Sequence, residues 1–133
     1  MRIQNIAGTL PLISQGIPFF QLGGDLLRSK SMDRNTYDAG DWFNKVDFTM
    51  STNNWNVGLP LAQDNESKWS LMTALINNSE TAPQASDIEF SSNIFKEFLS
   101  IRASSPLFRL TTQADISARL GFHNTGSEQT QGL

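Results

Sequence analysis

The 133-residue sequence has no cysteine, one histidine and one tyrosine. Without cysteine, neither a disulfide framework nor a thiolate metal site can form, and the redox compartment is left open. His123 stands alone, without the partner ligands that a metal site requires. It reads as an ordinary surface or strand histidine. No apolar run approaches the roughly 18 residues that a membrane helix needs. The start, Met1 to Asn5, has no basic region followed by an apolar block, so no secretory leader is visible. Localisation therefore stays open. Gly23-Gly24 lacks the fixed spacing and the lysine of a phosphate-binding loop. Ten Lys and Arg against thirteen Asp and Glu give a net charge of −3. The charges are interspersed, and no basic stripe suggests a nucleic-acid partner. No internal repeat is evident. The apolar share of 38% is low, although nine glycines narrow the gap to an ordinary domain.

Among the residues present, Ile3, Ile6, Ala7, Leu10 and Ile13 recur near helical spacing, with Pro11 expected to kink or end the helix. The run from Gly16 to Leu22 is short, apolar and non-alternating, which predicts a strand buried on both faces, as in a parallel sheet. Pro18 disfavours a central position in such a strand. Residues 25–63 predict no regular element. They are rich in Asn, Asp and Gly, with Trp42, Phe43 and Trp55 interspersed. So long a loop in a compact domain is functional or disordered, and aromatics argue against disorder. Residues 65–76 predict a short helix carrying Trp69, Met72 and Ile76 on one face. Residues 88–104 predict the strongest helix, with the stripe Ile94, Phe95, Phe98 and Ile101. Ser91 or Asp87 is the expected cap, and Pro106 blocks continuation. From Ile116 to Phe122 a weak alternation predicts a first strand, and Asn124-Thr125-Gly126 predicts a turn. One strand near each end cannot satisfy its backbone groups alone, so the pattern predicts a piece of a larger fold.

The loop between Arg28 and Asn56 is the candidate site. Sugars offer hydroxyl pairs and weakly apolar ring faces. Amides, carboxylates and arginine suit the former, and aromatics the latter. Arg28, Asn35, Tyr37, Asp41, Trp42, Asn44, Asn54 and Trp55 provide that mixture. The competing reading is a solvated loop anchored by its aromatics, with Gly40-Asp41 as a common turn pair. Asn65-Glu66-Ser67 and Asn77-Asn78-Ser79 match the glycosylation pattern, a match that is common by chance.

The run QGIPFFQLGGDLLRSKSMDRNTYDAGDWFNKVDFT (Gln15–Thr49), with NNWNVGLP (Asn53–Pro60) and IFKEFLSIRASSPLFRL (Ile94–Leu110), resembles pullulanases and limit dextrinases. These are starch-debranching glycoside hydrolases. The resemblance implies an α/β fold: the last part of a (β/α)8 barrel, followed by the start of a β-sandwich. It implies residues 1–110 in the barrel (helix 7, strand 8, a long loop, helix 8) and residues 111–133 in the sandwich domain. Barrel sites are built from loops after the strands, and Asp25–Pro60 would be such a loop. The implied chemistry is retaining cleavage of α-1,6-glucosidic bonds by two carboxylates about 5–5.5 Å apart. Those carboxylates come from strands outside this segment, so no catalytic residue and no cofactor is assigned here. The resemblance does carry substrate binding onto Arg28 and Asp41, with Asn35, Tyr37 and Asn44 ranked after them. For Asp41 a turn or a salt bridge to Arg28 is the structural alternative. The implied partners are an α-glucan (pullulan, limit dextrin, glycogen or a maltooligosaccharide) and the N-terminal part of the same enzyme. A free-standing carbohydrate-binding or accessory module is the alternative.

Overall fold

The computed structural model describes residues 2–33, 35 and 37–130. Among the described residues six α-helices follow one another: α1 (Arg2–Ile13), α2 (Asp41–Asn44), α3 (Ala62–Asn65), α4 (Trp69–Ile76), α5 (Ala85–Ser104) and α6 (Gln113–Arg119). Short 3-10 turns occupy Glu66–Lys68, Ser79–Thr81 and Pro106–Arg109. Among the described residues there is no strand. The expected α/β fold, a piece of a (β/α)8 barrel leading into a β-sandwich, is thereby corrected: the described chain is helices and loops.

Both expected strands fail for the same physical reason. A strand needs a neighbour to take up its N–H and C=O groups, and the described residues supply none. Residues 17–21 carry no regular element before a turn closed by Gly24 N–H on the Gln21 carbonyl at 3.0 Å. The tail folds instead as α6. The Thr112 side chain accepts from the Asp115 N–H at 3.1 Å, capping the start. Arg119 pairs with Asp115 one turn earlier at 2.6 Å. Alternation over seven residues was a weaker signal than this cap and pair.

α1 and α5 pack together and carry the core. Leu12 and Ile88 are fully buried between them, and Phe20 stands edge-on to Phe95 with ring centroids 5.1 Å apart. Ser91, one expected cap of α5, is buried in this interface and donates to the Asn5 side chain at 3.0 Å. The cap is Gln84, three residues before Asp87. Gln84 N–H donates to the Asp87 carboxylate at 2.9 Å, and the helix starts at Ala85 rather than 88. Pro11 lies inside α1 but does not end it. It sits in the last turn, where losing one donor matters least, and Ser14 N–H still reaches the Leu10 carbonyl at 3.2 Å.

Arg102 closes this half of the molecule. Its buried guanidinium donates to the carbonyls of Leu12 (2.7 Å), Ser14 (2.8 Å) and Gly16. It thus meets carbonyls that the end of α1 leaves without a helical partner. Gln15 adds a second tie. Its side chain donates to the Leu107 carbonyl and accepts from Leu110 N–H at 3.1 Å. These contacts fix the entry to residues 17–21 and hence the loop beyond them.

Candidate functional site

The loop from Asp25 to Pro60 is held by buried asparagines. Asn53 donates to the Leu27 carbonyl at 2.9 Å and accepts from Trp55 N–H at 3.1 Å. Its own carbonyl takes the Ser29 N–H at 2.7 Å. Asn54 adopts φ 66 and donates to the Phe43 carbonyl at 2.8 Å. Asparagine tolerates this left-handed conformation better than most residues. Asn65, 2% exposed, donates to the Asp33 carboxylate at 2.7 Å and to the Leu61 carbonyl at 3.0 Å. Short amide side chains that match backbone donors and acceptors replace a ladder here. Buried as it is, Asn65 is not available to a glycan.

Asp47 organises the turn that follows α2. It accepts from the Thr49 hydroxyl (2.7 Å) and from the N–H groups of Thr49 (2.9 Å), Ser51 (3.1 Å) and Thr52 (3.0 Å). The Thr49 hydroxyl, then these backbone donors, hold its carboxyl below the usual value of 3.8.

Arg28 and Asn44 form the centre of the site. The Arg28 guanidinium donates to the Asn44 carbonyl at 2.6 Å and to its side-chain oxygen at 3.3 Å. Its stem folds over Gly23, where an added Cβ would lie 2.8 Å from Arg28 Cβ. Gly23 also has φ 85, so this position requires glycine twice over. Arg28 therefore clamps the end of α2, the four-residue helix that begins with Asp41. A salt bridge between Asp41 and Arg28, one structural alternative for Asp41, is not formed. Among the described residues the ion pair within 4.0 Å is Arg119–Asp115. Asp41 is exposed and its carboxylate has no hydrogen-bond partner among the described residues.

The two aromatics of α2 separate in role. Phe43 is fully buried and anchors the loop, while Trp42 is 56% exposed. The two rings meet edge-on at 5.2 Å. Trp42 lies over Gly40 and Gly58, whose added Cβ atoms would come within 3.3 and 3.6 Å of its ring. The remaining candidates are less gathered. Asn35 is turned towards Asp64 at 3.4 Å, and Tyr37 is exposed without a hydrogen-bond partner among the described residues. An open groove of about 660 Å³ runs beside Arg28, with Gln21, Asn53, Trp55, Glu80 and Asp87 on its walls.

The structure joins Arg28 to Asn44 at the end of α2 and puts Asp41 at the start of the same helix; Asn35 reaches Asp64, and Tyr37 is exposed. Sequence reasoning missed Asn53 and Asn65 as loop braces. The available signal was the density of asparagine beside buried aromatics. Among the described residues no group of three or more His, Cys, Asp or Glu could hold a metal ion.

Comparison with known proteins matches the chain to a family. Residues 50–133 match the family of alpha-1,6-glucosidases, pullulanase-type, C-terminal. The chain is 47% identical over 131 residues to pullulanase 1 of the Arabidopsis thaliana chloroplast, covering 98% of this chain and 14% of that protein. It is 38% identical over 133 residues to the pullulanase of Klebsiella aerogenes, covering 100% of this chain and 12% of that protein. The fold superposes on a Klebsiella pneumoniae pullulanase complexed with maltotriose with a TM-score of 0.88 at 37% identity. That match covers 97% of this chain and 12% of the enzyme. The chain spans 12–14% of the length of these relatives. It belongs to the pullulanase-type alpha-1,6-glucosidase family, as the motifs around Arg28 and Asp41 had implied.

Proposed function

We propose that this chain supplies one wall of the α-glucan cleft of a debranching glycoside hydrolase that cleaves α-1,6-glucosidic bonds. The observation that carries the reading is the exposed Asp41 carboxylate at the start of α2, which has no hydrogen-bond or ion-pair partner among the described residues, beside an α2 end tied down by Arg28 through Asn44. A free carboxylate at the rim of a loop suits a pair of sugar hydroxyls, which it would accept from directly. Arg28 acts mainly by holding α2, with Asn44 as its acceptor. Asn35 and Tyr37 extend the same wall, and the exposed Trp42 face is available to a sugar ring. Binding of maltotriose by a relative of the same fold supports this class of ligand.

In this reading the catalytic carboxylates come from elsewhere in a pullulanase-type enzyme, and the partner of this chain is that remaining polypeptide. No Asp or Glu here is given a catalytic part. The chain alone releases no reducing ends from pullulan, and turnover by a pure sample would sink the assignment. The second reading is a free-standing carbohydrate-binding module. It requires cooperative melting of the isolated chain together with retained maltooligosaccharide binding.

A further inference from the structure

A helix as short as α2 does not hold itself, because too few backbone bonds offset the cost of fixing its first turn. Its last carbonyls also lack helical partners. Side chains from two distant segments take them. Asn54 Nδ2 donates to the Phe43 carbonyl at 2.8 Å and to the Trp42 carbonyl at 3.4 Å. Arg28 donates to the Asn44 carbonyl at 2.6 Å, so the two residues divide the end of α2 between them. By composition Asn54 belongs to the sugar-binding mixture, yet at 5% exposure it faces inward. It is itself fixed from behind. Its N–H donates to the Thr52 hydroxyl at 3.1 Å, and the Thr52 N–H donates to the Asp47 carboxylate at 3.0 Å. Its backbone has φ 66, a conformation that favours asparagine over most residues.

We infer that Asn54 is a positioning residue for α-glucan binding: through two carbonyls of α2 it sets the direction in which the Asp41 carboxylate meets the sugar. This rests on the reading of Asp41 as part of the cleft wall. Asp41 opens α2 and stands two residues before Phe43. The two residues lie about 3 Å apart along the helix axis, so the helix cannot tilt at one without moving the other. Without the amide, the buried Phe43 carbonyl has lost its side-chain donor, and that end of α2 moves to satisfy it. A displacement of about 1 Å is enough to spoil a contact that depends on orientation. Asn54 thus acts on the sugar without touching it.

The test is a double-mutant cycle on maltotriose binding. It is read by calorimetric titration in Klebsiella pneumoniae pullulanase with its matching segment replaced by this chain. Asn54→Gly removes the amide and keeps the left-handed backbone. Beside an intact Asp41 it should raise Kd at least about threefold, and beside Asp41→Ala it should change Kd by less than about 1.5-fold. Unfolded protein lowers the stoichiometry of the titration and not the Kd, so lost structure alone does not imitate this result. Asn54→Asp keeps the size and the left-handed preference but presents an acceptor in place of the donor. It gives the same reading if Asn54→Gly does not fold. On pullulan, KM should rise with kcat retained, the pattern of lost binding. A fallen kcat with KM unchanged overturns the positioning role. An unchanged Kd in Asn54→Gly, or an equal rise with and without Asp41, overturns it too and leaves the Asp41 wall standing. Asp41→Ala that binds as well as its parent overturns the wall itself, and this inference with it.

Discussion

Arg28 reaches across sixteen residues to grip Asn44 twice, through the backbone carbonyl at 2.6 Å and the side-chain oxygen at 3.3 Å. The pairing joins the start of the loop to the end of α2. It explains why Arg28 is not the counter-ion of Asp41. Nη2 makes both contacts and Nη1 donates to the Leu22 carbonyl at 3.5 Å, so the acceptors of the guanidinium are neutral oxygens. Arginine suits this task because its planar guanidinium presents one amine to Asn44 and the other to the Leu22 carbonyl at once. Arg28→Lys cannot reproduce both contacts. Hydrogen exchange should therefore show lost protection at Asn44 N–H, which bonds the Gly40 carbonyl at 3.2 Å. Unchanged protection there would mean that α2 holds without the clamp.

Asn54 is a second brace, and its role is separable from its backbone conformation. Asn54→Gly keeps the left-handed φ but removes the amide that reaches the Phe43 carbonyl at 2.8 Å. Asn54→Ala removes the amide and adds backbone strain. The loss should be about 1–3 kcal/mol for the unsatisfied buried carbonyl, with Ala costing more than Gly. Limited proteolysis between residues 42 and 58 reads both. Equal resistance of all three proteins would contradict the assignment.

Arg102 should matter more than its place on a helix suggests. Arg102→Met keeps most of the apolar stem but leaves the carbonyls of Leu12 and Ser14 without their donor. Each buried carbonyl left unpaired costs about 1–3 kcal/mol. Amide exchange at Ser14 and Leu110 should accelerate together, since the same junction holds both. Acceleration at one site only would separate the two ties.

Asp47 gives a pH dependence with a defined sign. Its folded carboxyl is held below the usual 3.8 by the Thr49 hydroxyl and by backbone donors. The stabilisation is therefore present above 3.8 and is lost as pH falls through the lower folded value. Protection of the Ser51 and Thr52 amides should decline only in acid below about pH 4. Asp47→Asn should remove that acid step. A decline centred near neutrality would point to another group.

The residues differ in how legible they are. The stripe of α5 is visible in part: Ile94, Phe95 and Phe98 recur at helical spacing and are at least half-buried, but Ile101, read as the fourth member, is exposed. The long loop is visible because Asn, Asp and Gly crowd residues 25–63, although the structure places the four-residue α2 and the start of α3 where no regular element was expected. The family is legible in the unusual run around Arg28 and Asp41. The strands were misread for a physical reason. The apolar composition of residues 17–22 is local, but strand pairing is not, and the described chain offers no neighbour. In the tail, a cap at Thr112 and the Asp115–Arg119 pair outweigh alternation. Arg102, Asn53 and Asn54 were hidden because their main partners are carbonyls 11–90 residues away, which leave no trace in side-chain pattern.

The wall centred on Asp41 is tested most directly by calorimetric titration of maltotriose. The protein to use is Klebsiella pneumoniae pullulanase with its matching segment replaced by this chain, compared with the same protein carrying Asp41→Ala. Loss of a charged acceptor should weaken binding by at least about 1 kcal/mol, or about fivefold in Kd. An affinity unchanged within about twofold would contradict the account and remove Asp41 from the cleft.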